Sequence, residues 1–231
     1  MSISVVIPAW NAASTIGEAL GSVARQRPLA DEVVLVDDGS TDGTADAARR
    51  THAGLRVLTQ ARSGTAAALN RGIEACGSSL LAFLDADDRW SAEKLALQLG
   101  WLERSPGAEG ILGWVETFLC PSLGAETASR YRMPEGPEVA WLTGALLVRR
   151  DAFERVGPFA EELLVGFAID WFDRARVAGL RLAIPEQTVL YRRIRSGSLS
   201  HRSPQKNRAY LEMARRALLR RRVSPHDGSR D

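Results

Sequence analysis

The sequence predicts an α/β fold: one domain on a mostly parallel central sheet with helices on both faces. Three observations carry this expectation. Short apolar runs alternate with helical patterns over the first hundred residues, the rhythm of parallel strands joined by crossover helices. Two of those runs end in paired acids, at 37–38 and 85–88. And 231 residues, 45% hydrophobic and 25% charged, suffice for one sizeable core and exclude wholesale disorder or a collagen-like repeat.

Residues 3–7 form the first strand, and Thr15 and Glu18 then make a capping-box pair ahead of Ile16, Leu20 and Val23, spaced for one helix face. A second strand covers 32–36, and 41–44 opens a helix running to about His52. The third strand is 55–59, the third helix 65–76, and 80–84 follows as a fully apolar strand. Ser91 stands as N-cap for the next helix, with Leu95, Leu99 and Leu102 facing inward and Ser105-Pro106-Gly107 ending it. Residues 110–118 and 143–148 read as strands on either side of a surface excursion at 121–137, rich in Pro, Gly and Glu. A helix at 168–178, one or two strands within 181–194 broken near Pro185, and an amphipathic helix at 205–222 complete the chain. No internal repeat or linker divides it.

Cys76 and Cys120 stand far apart without partners at metal-ligand spacing, which disfavours a disulfide framework or a zinc knuckle and fits a reducing compartment. No leader-like stretch precedes the first strand, and no run reaches the roughly 18 apolar residues of a spanning helix. The expected location is cytoplasmic. The net charge of +2 conceals an asymmetry. From Tyr191 onward twelve Lys or Arg face three acids, a balance of +9, which leaves −7 for the first 190 residues. Such a basic end meets an anion: nucleic acid, a membrane surface or a phosphorylated small molecule.

The chemistry concentrates at strand ends, where open parallel sheets bind ligands. Asp37 and Asp38 repel each other at the edge of an apolar strand and need a partner: a base or ribose donor, a cation, or turn amides. The plainer alternative has Asp38 and Ser40 shaping a turn while Thr41 caps the helix. The fourth strand also ends in acids, LDADD over 84–88. Asp85 and Asp87, two apart, project the same way from an extended segment and together offer hard oxygen ligands, an incomplete set typical of Mg²⁺ or Mn²⁺ finished by substrate phosphates.

With these tips the chain resembles the family 2 glycosyltransferases, of GT-A (Rossmann-like) fold. The resemblance runs through SVVIPAWN (4–11), VDDGSTDGT (36–44), RSGTAAALNRGI (62–73), FLDADD (83–88), TGALLVRRDAFERVGPF (143–159) and IDWFDRARVAG (169–179). It implies a glycosyltransferase domain over 1–203, with a nucleotide-binding half at 1–105 and an acceptor half at 106–203, and a basic helix and tail at 204–231. Pro8, Ala9 and Trp10 would line the base pocket of a nucleotide-sugar and Asp37 would bind the base edge. Gly64 would let the loop after the third strand approach the nucleotide. Asp85, Ala86 and Asp87 would form the Asp-X-Asp motif, Asp85 near the ribose and Asp87 on the metal. Trp10 also admits simple packing.

Transfer with inversion needs a base for the acceptor hydroxyl, and the resemblance places it at Asp170, with Asp173 a weaker candidate. Ile169 stands where the family often has Glu, and a helix cap is the alternative reading of Asp170. Gly144 and Trp171 fall beside the sugar or acceptor by their place in the pattern, or serve close packing and the core. YRRIRSGSLSH (191–201) is similar to the family's Tyr-Arg-X-His loop, with Arg195 a permanent cation for the diphosphate where His is commoner. His201 reads as a surface histidine.

The resemblance therefore implies an inverting, metal-dependent, hexosyltransferase-type enzyme using a nucleotide-sugar, above all a UDP-sugar, and a glycan, lipid, peptide or small natural product as acceptor. A nucleotidyltransferase would carry a Gly-rich loop with a basic residue after the first strand, where IPAWNAAST stands. A non-catalytic nucleotide-binding scaffold is the other rival. No recognition motif for nucleic acid accompanies the closing basic helix, which packs on the core or touches the inner face of a membrane peripherally.

Overall fold

A computed structural model describes residues 1–52 and 54–195. Its larger sheet has seven strands in the order β3-β2-β1-β4-β8-β6-β9. These are β1 Ile3–Ala9, β2 Glu32–Asp38, β3 Arg56–Gln60, β4 Leu80–Phe83, β6 Gly110–Leu112, β8 Leu146–Arg149 and β9 Leu182–Ala183. The pairs β1/β2, β1/β4, β2/β3 and β6/β9 are parallel, while β8 runs antiparallel to β4 and β6. Every residue of β1 is buried, as covering on both faces requires. The crossover helices are α1 Ile16–Ala24, α2 Thr44–Thr51 and α3 Thr65–Glu74, followed by α4 Lys94–Arg104. The expected α/β architecture is the one observed.

A second sheet was not legible in the sequence. It orders β5 Arg89–Trp90, β10 Thr188–Ile194 and β7 Trp114–Leu119 as β5-β10-β7. The strand expected over 110–118 is two strands in two sheets. Gly113 is the break: a Cβ there would sit 2.5 Å from Val189 Cγ1, so only a glycine lets the chain pass β10 as it crosses between sheets. The expected strand at 143–148 starts instead with a 3-10 turn, Thr143–Ala145. There Trp90 Nε1 donates to the Gly144 carbonyl at 3.1 Å, and Gln98 Nε2 to Ala145 at 2.8 Å. Lys94 Nζ reaches Leu146 O at 3.4 Å and Gln98 Oε1 at 2.5 Å. Side chains from one short segment thus take three successive carbonyls.

Three expected helix caps are not formed. Thr15 donates its hydroxyl to Ala86 O at 2.9 Å and to Ala12 O at 3.3 Å, and Glu18 pairs with Arg193, so both members of the capping box serve tertiary contacts. Gly43, not Thr41, precedes α2 at φ 80°. Helix α4 begins at Lys94, with Glu93 before it. Ser91 lies in strand-like pairing, its amide donating to Val189 O at 3.0 Å. The excursion at 121–137 is mostly exposed, with only the short α5 Ala125–Ala128. Two helices follow, α6 Arg150–Val156 and α7 Phe167–Val177. The helix expected at 205–222, and His201, lie outside the described residues.

Candidate active site

The carboxyl ends of β1, β2 and β4 lie side by side, Ala9 opposite Asp37 and Asp37 opposite Thr59. The loops after β1 and β2 are laced together. Asn11 N donates to Ser40 Oγ at 2.9 Å, Thr41 N to Asn11 Oδ1 at 2.9 Å, and Ala12 N to Thr44 Oγ1 at 2.8 Å. Asp37 is buried and accepts the Ser40 amide at 2.9 Å. Asp38, also buried, takes Ser63 N at 2.7 Å and Gly64 N at 2.8 Å, with Gln60 Nε2 and Arg62 Nη1 completing its set. Asp38 is therefore the acid whose partners are backbone amides and a cation, and it fixes the 60–64 loop. Gly64, at φ 100°, lets that loop turn.

Pro8 and Ala9 are buried at the end of β1, and Trp10 beyond them is 41% exposed. The Arg62 guanidinium lies 3.8 Å from the Trp10 ring centre, so an indole face is presented at the strand edge under a cation that Asp38 anchors.

The tip after β4 is held at every carbonyl. Asp88 N donates to Asp85 O at 3.1 Å, Thr15 Oγ1 to Ala86 O, and Arg193 Nε to Asp87 O at 2.8 Å. Asp88 is buried and accepts Arg193 N at 2.7 Å. Asp87 Oδ2 accepts Arg195 Nε at 2.8 Å. Burial first, then the Asp87 charge, pushes Asp85 up to about 6, with Arg192 pulling the other way. Burial and the charges of Asp87 and Asp85 raise Asp88 well above the usual carboxylate range. Crowded carboxylates of this kind are relieved by a cation. Among the described residues no group of three or more His, Cys, Asp or Glu is arranged to hold a metal ion alone. Asp85 and Asp87 fit one that draws further ligands from a bound molecule.

The acceptor-side residues fall elsewhere. Trp171 is fully buried, stacked on Phe153 at 5.2 Å and packed against Phe159 and Phe172, with its Nε1 donating to Gly157 O at 3.0 Å. It is core, not pocket wall. Gly144 is buried too, and a Cβ there would meet Leu190 Cδ2 at 3.0 Å, so its task is close packing against β10. Asp170, in the first turn of α7, is 2% exposed and pairs with Arg174 Nε at 2.9 Å. Arg174 also donates to Val156 O at 2.8 Å and Pro158 O at 2.6 Å. Asp170 and Arg174 line an open groove of about 560 Å³ with Asn70, Glu74 and residues 158–162, sharing no residue with the strand-tip cluster.

The sequence reading missed Arg62, Asp88 and Arg193. Asp88 carried a weak signal, as the fourth residue of DADD. Arg193 carried none, since its hydrogen-bond partners lie 73 to 175 residues away.

A mostly parallel sheet with acids at adjacent strand tips is the GT-A architecture of glycosyltransferases. S. aureus TarS 1–349 in complex with UDP-GlcNAc matches with a TM-score of 0.76 at 20% identity, over 98% of this chain and 68% of that one. The mannosyltransferase PcManGT of Pyrobaculum calidifontis, in complex with GDP-Man and Mn²⁺, matches at 0.65 and 24%, over 97% and 65%. At these identities the likeness is one of fold. The chain belongs to glycosyl transferase family 2, whose family model matches residues 4–160. Glycosyltransferase AglE of Haloferax volcanii is 34% identical over 207 residues, 81% of this chain and 65% of AglE. The putative teichuronic acid biosynthesis glycosyltransferase TuaG of Bacillus subtilis is 38% identical over 111 residues, 45% of this chain and 43% of TuaG. The chain thus spans under two thirds of both. Among the described residues no helix is long and apolar enough to cross a membrane.

Proposed function

We propose that the protein is an inverting glycosyltransferase that takes its sugar from a nucleotide-sugar, a UDP-sugar above all, and passes it to a hydroxyl acceptor with the help of Mg²⁺ or Mn²⁺. The observation that carries this reading is the convergence of Trp10, Asp37, Asp85, Asp87 and Arg195 at one edge of the sheet. Trp10 offers a base a flat face, Asp37 a carboxylate for its edge, and Asp85 stands where a ribose hydroxyl would donate. Asp87 would hold the cation, which when bound supplies charge to offset the leaving diphosphate. Arg195, just beyond the end of β10 and paired with Asp87, supplies a second, permanent positive charge there. Residues 1–105 then serve the donor and 106–203 the acceptor.

The acceptor hydroxyl attacks the anomeric carbon as the nucleoside diphosphate leaves from the opposite side, and its proton passes to a carboxylate. Asp170 holds that role by its place in the pattern. Its geometry adds a structural one, because Arg174 ties it to the 156–158 loop, so service as a base requires that pair to part.

A screen of UDP-sugars with Mn²⁺, reading UDP released with and without small glycoside acceptors, tests the proposal. Release is expected from one donor, and Asp87→Asn should lower it by about 10²- to 10³-fold. Binding of UDP with no release from any donor would favour the second reading, a non-catalytic nucleotide-binding protein. That reading draws on the buried Asp170–Arg174 pair and on Ile169, 44% exposed where an acid is usual.

A further inference from the structure

Arg193 is the buried cation of the strand-tip cluster, its side chain only 5% exposed. A charge in such a place is costly unless every donor is matched. Its matches lie on the acidic tip, on the helix beneath it, and at the end of β7, where Nη1 donates to Cys120 Sγ at 3.8 Å. The Arg193 amide donates to the Asp88 carboxylate at 2.7 Å, and its Nε to the Asp87 main-chain carbonyl at 2.8 Å. Its Nη2 reaches Glu18 Oε2 at 2.5 Å, and its guanidinium lies 4.9 Å from the Phe118 ring centre. One residue thus grips the tip at two successive positions and pins it to α1, whose Thr15 already holds the Ala86 carbonyl.

Gripping the Asp87 carbonyl fixes the rotation of the peptide plane that follows it, and with it the direction in which the Asp87 side chain leaves the backbone. Side chains two apart on a strand share a face, and Arg195, two residues on, meets the carboxylate of the same aspartate at 2.8 Å. Strand β10 therefore brings two guanidiniums to Asp87, one to its backbone and one to its carboxylate.

We infer that Arg193 is a positioning residue for Asp87, clamped by Glu18 and Asp88, and that it acts on cation and nucleotide binding through Asp87 without touching either. The inference rests on the reading of Asp87 as the cation-holding residue. Partners that orient a ligating group typically change metal affinity by about 10- to 100-fold when removed, whereas a residue that merely holds the fold changes stability alone.

The test uses the full chain with Arg193→Gln, Arg193→Lys and Glu18→Gln, the last at a side chain 53% exposed and so safe for folding should Arg193→Gln fail to fold. Two measurements are made on each: amide hydrogen exchange, and Mn²⁺ titration in the presence of UDP. Exchange in peptides spanning 85–90 is expected to rise about tenfold in Arg193→Gln, less in Glu18→Gln, with β1 unchanged. Half-saturation by Mn²⁺ should weaken by about 10- to 100-fold in Arg193→Gln, with partial rescue in Arg193→Lys, which keeps the charge but cannot span both partners. Unchanged exchange at 85–90, or a rise spread evenly over the chain, overturns the inference. So does a loosened tip whose Mn²⁺ half-saturation stays within twofold of wild type. If the wild type takes up no Mn²⁺ with UDP, it is the reading of the site that falls, and the role of Arg193 toward a cation falls with it, whatever the exchange shows.

Discussion

The strand-tip edge and the groove beside Asp170 are built on different plans. At the strand tips four carboxylates have an assigned partner: Ser40 N for Asp37, the 60–64 loop for Asp38, Arg195 for Asp87 and the Arg193 amide for Asp88. In the groove the acid singled out by pattern, Asp170, is drawn into an ion pair beneath the surface. The exposed lining around it is mixed, Glu74, Glu161 and Glu162 beside Pro158, with Ile169, 44% exposed, next to it in the chain. Groups that handle charge are locked in place before a ligand arrives, as electrostatic preorganisation requires. The groove is lined instead by the loop at 158–162 and by side chains of α3 and α7.

Three measurements break or sharpen that contrast. The largest effect is expected at Asp170. With Asp170→Asn, transfer should fall by about 10²- to 10⁴-fold while Mn²⁺-dependent UDP binding, measured by calorimetry, stays at the wild-type value. Undiminished transfer with a lower melting temperature would leave Asp170 as a buttress of the 156–158 loop and nothing more. Next comes Trp10→Ala. If the exposed indole stacks a base, a contact worth about 1–3 kcal/mol, UDP should bind about 5- to 150-fold more weakly with no loss of stability. A UDP affinity that does not move would make Trp10 a platform for Arg62 only.

The smallest effect lies beneath both regions, at Lys94. It is fully buried with no acidic partner among the described residues, and burial pushes its pKa well below the usual lysine value. The unfolded chain therefore holds one more proton than the folded chain between that depressed value and about 10.4, so stability rises with pH across the window, by about 1.4 kcal/mol per unit. Lys94→Met should remove this slope, and urea titrations at pH 7, 8 and 9 read it directly. Equal slopes in the two proteins would show that Lys94 stays charged when folded.

How much of this was legible depends on the range over which each feature is decided. The strands of the first half showed themselves because their apolar runs are contiguous, and the acids at 37–38 and 85–88 stood out against those runs. The caps failed because Thr15, Glu18 and Ser91 have partners 71 to 175 residues away, and a local rule has no access to them. The second sheet was hidden for the same reason: β5 is two residues long, and the switch at Gly113 is a matter of clearance from Val189. Trp171 and Gly144 were placed by position in a pattern, and the contacts they make, Trp171 with Phe153 and Gly157 and Gly144 with Leu190, are packing contacts that no pattern could show.

The three carbonyls of Gly144, Ala145 and Leu146 have a practical meaning for anyone recombining domains of this kind. Their donors, Trp90, Gln98 and Lys94, sit 47 to 54 residues earlier in the chain, just past the acidic tip. A chimera that imports residues 138–149 from a relative without the matching 90–98 segment strands buried acceptors at about 1–3 kcal/mol each. The turn at Thr143–Ala145 and the helix behind it form one exchangeable cassette, to be moved with both pieces together.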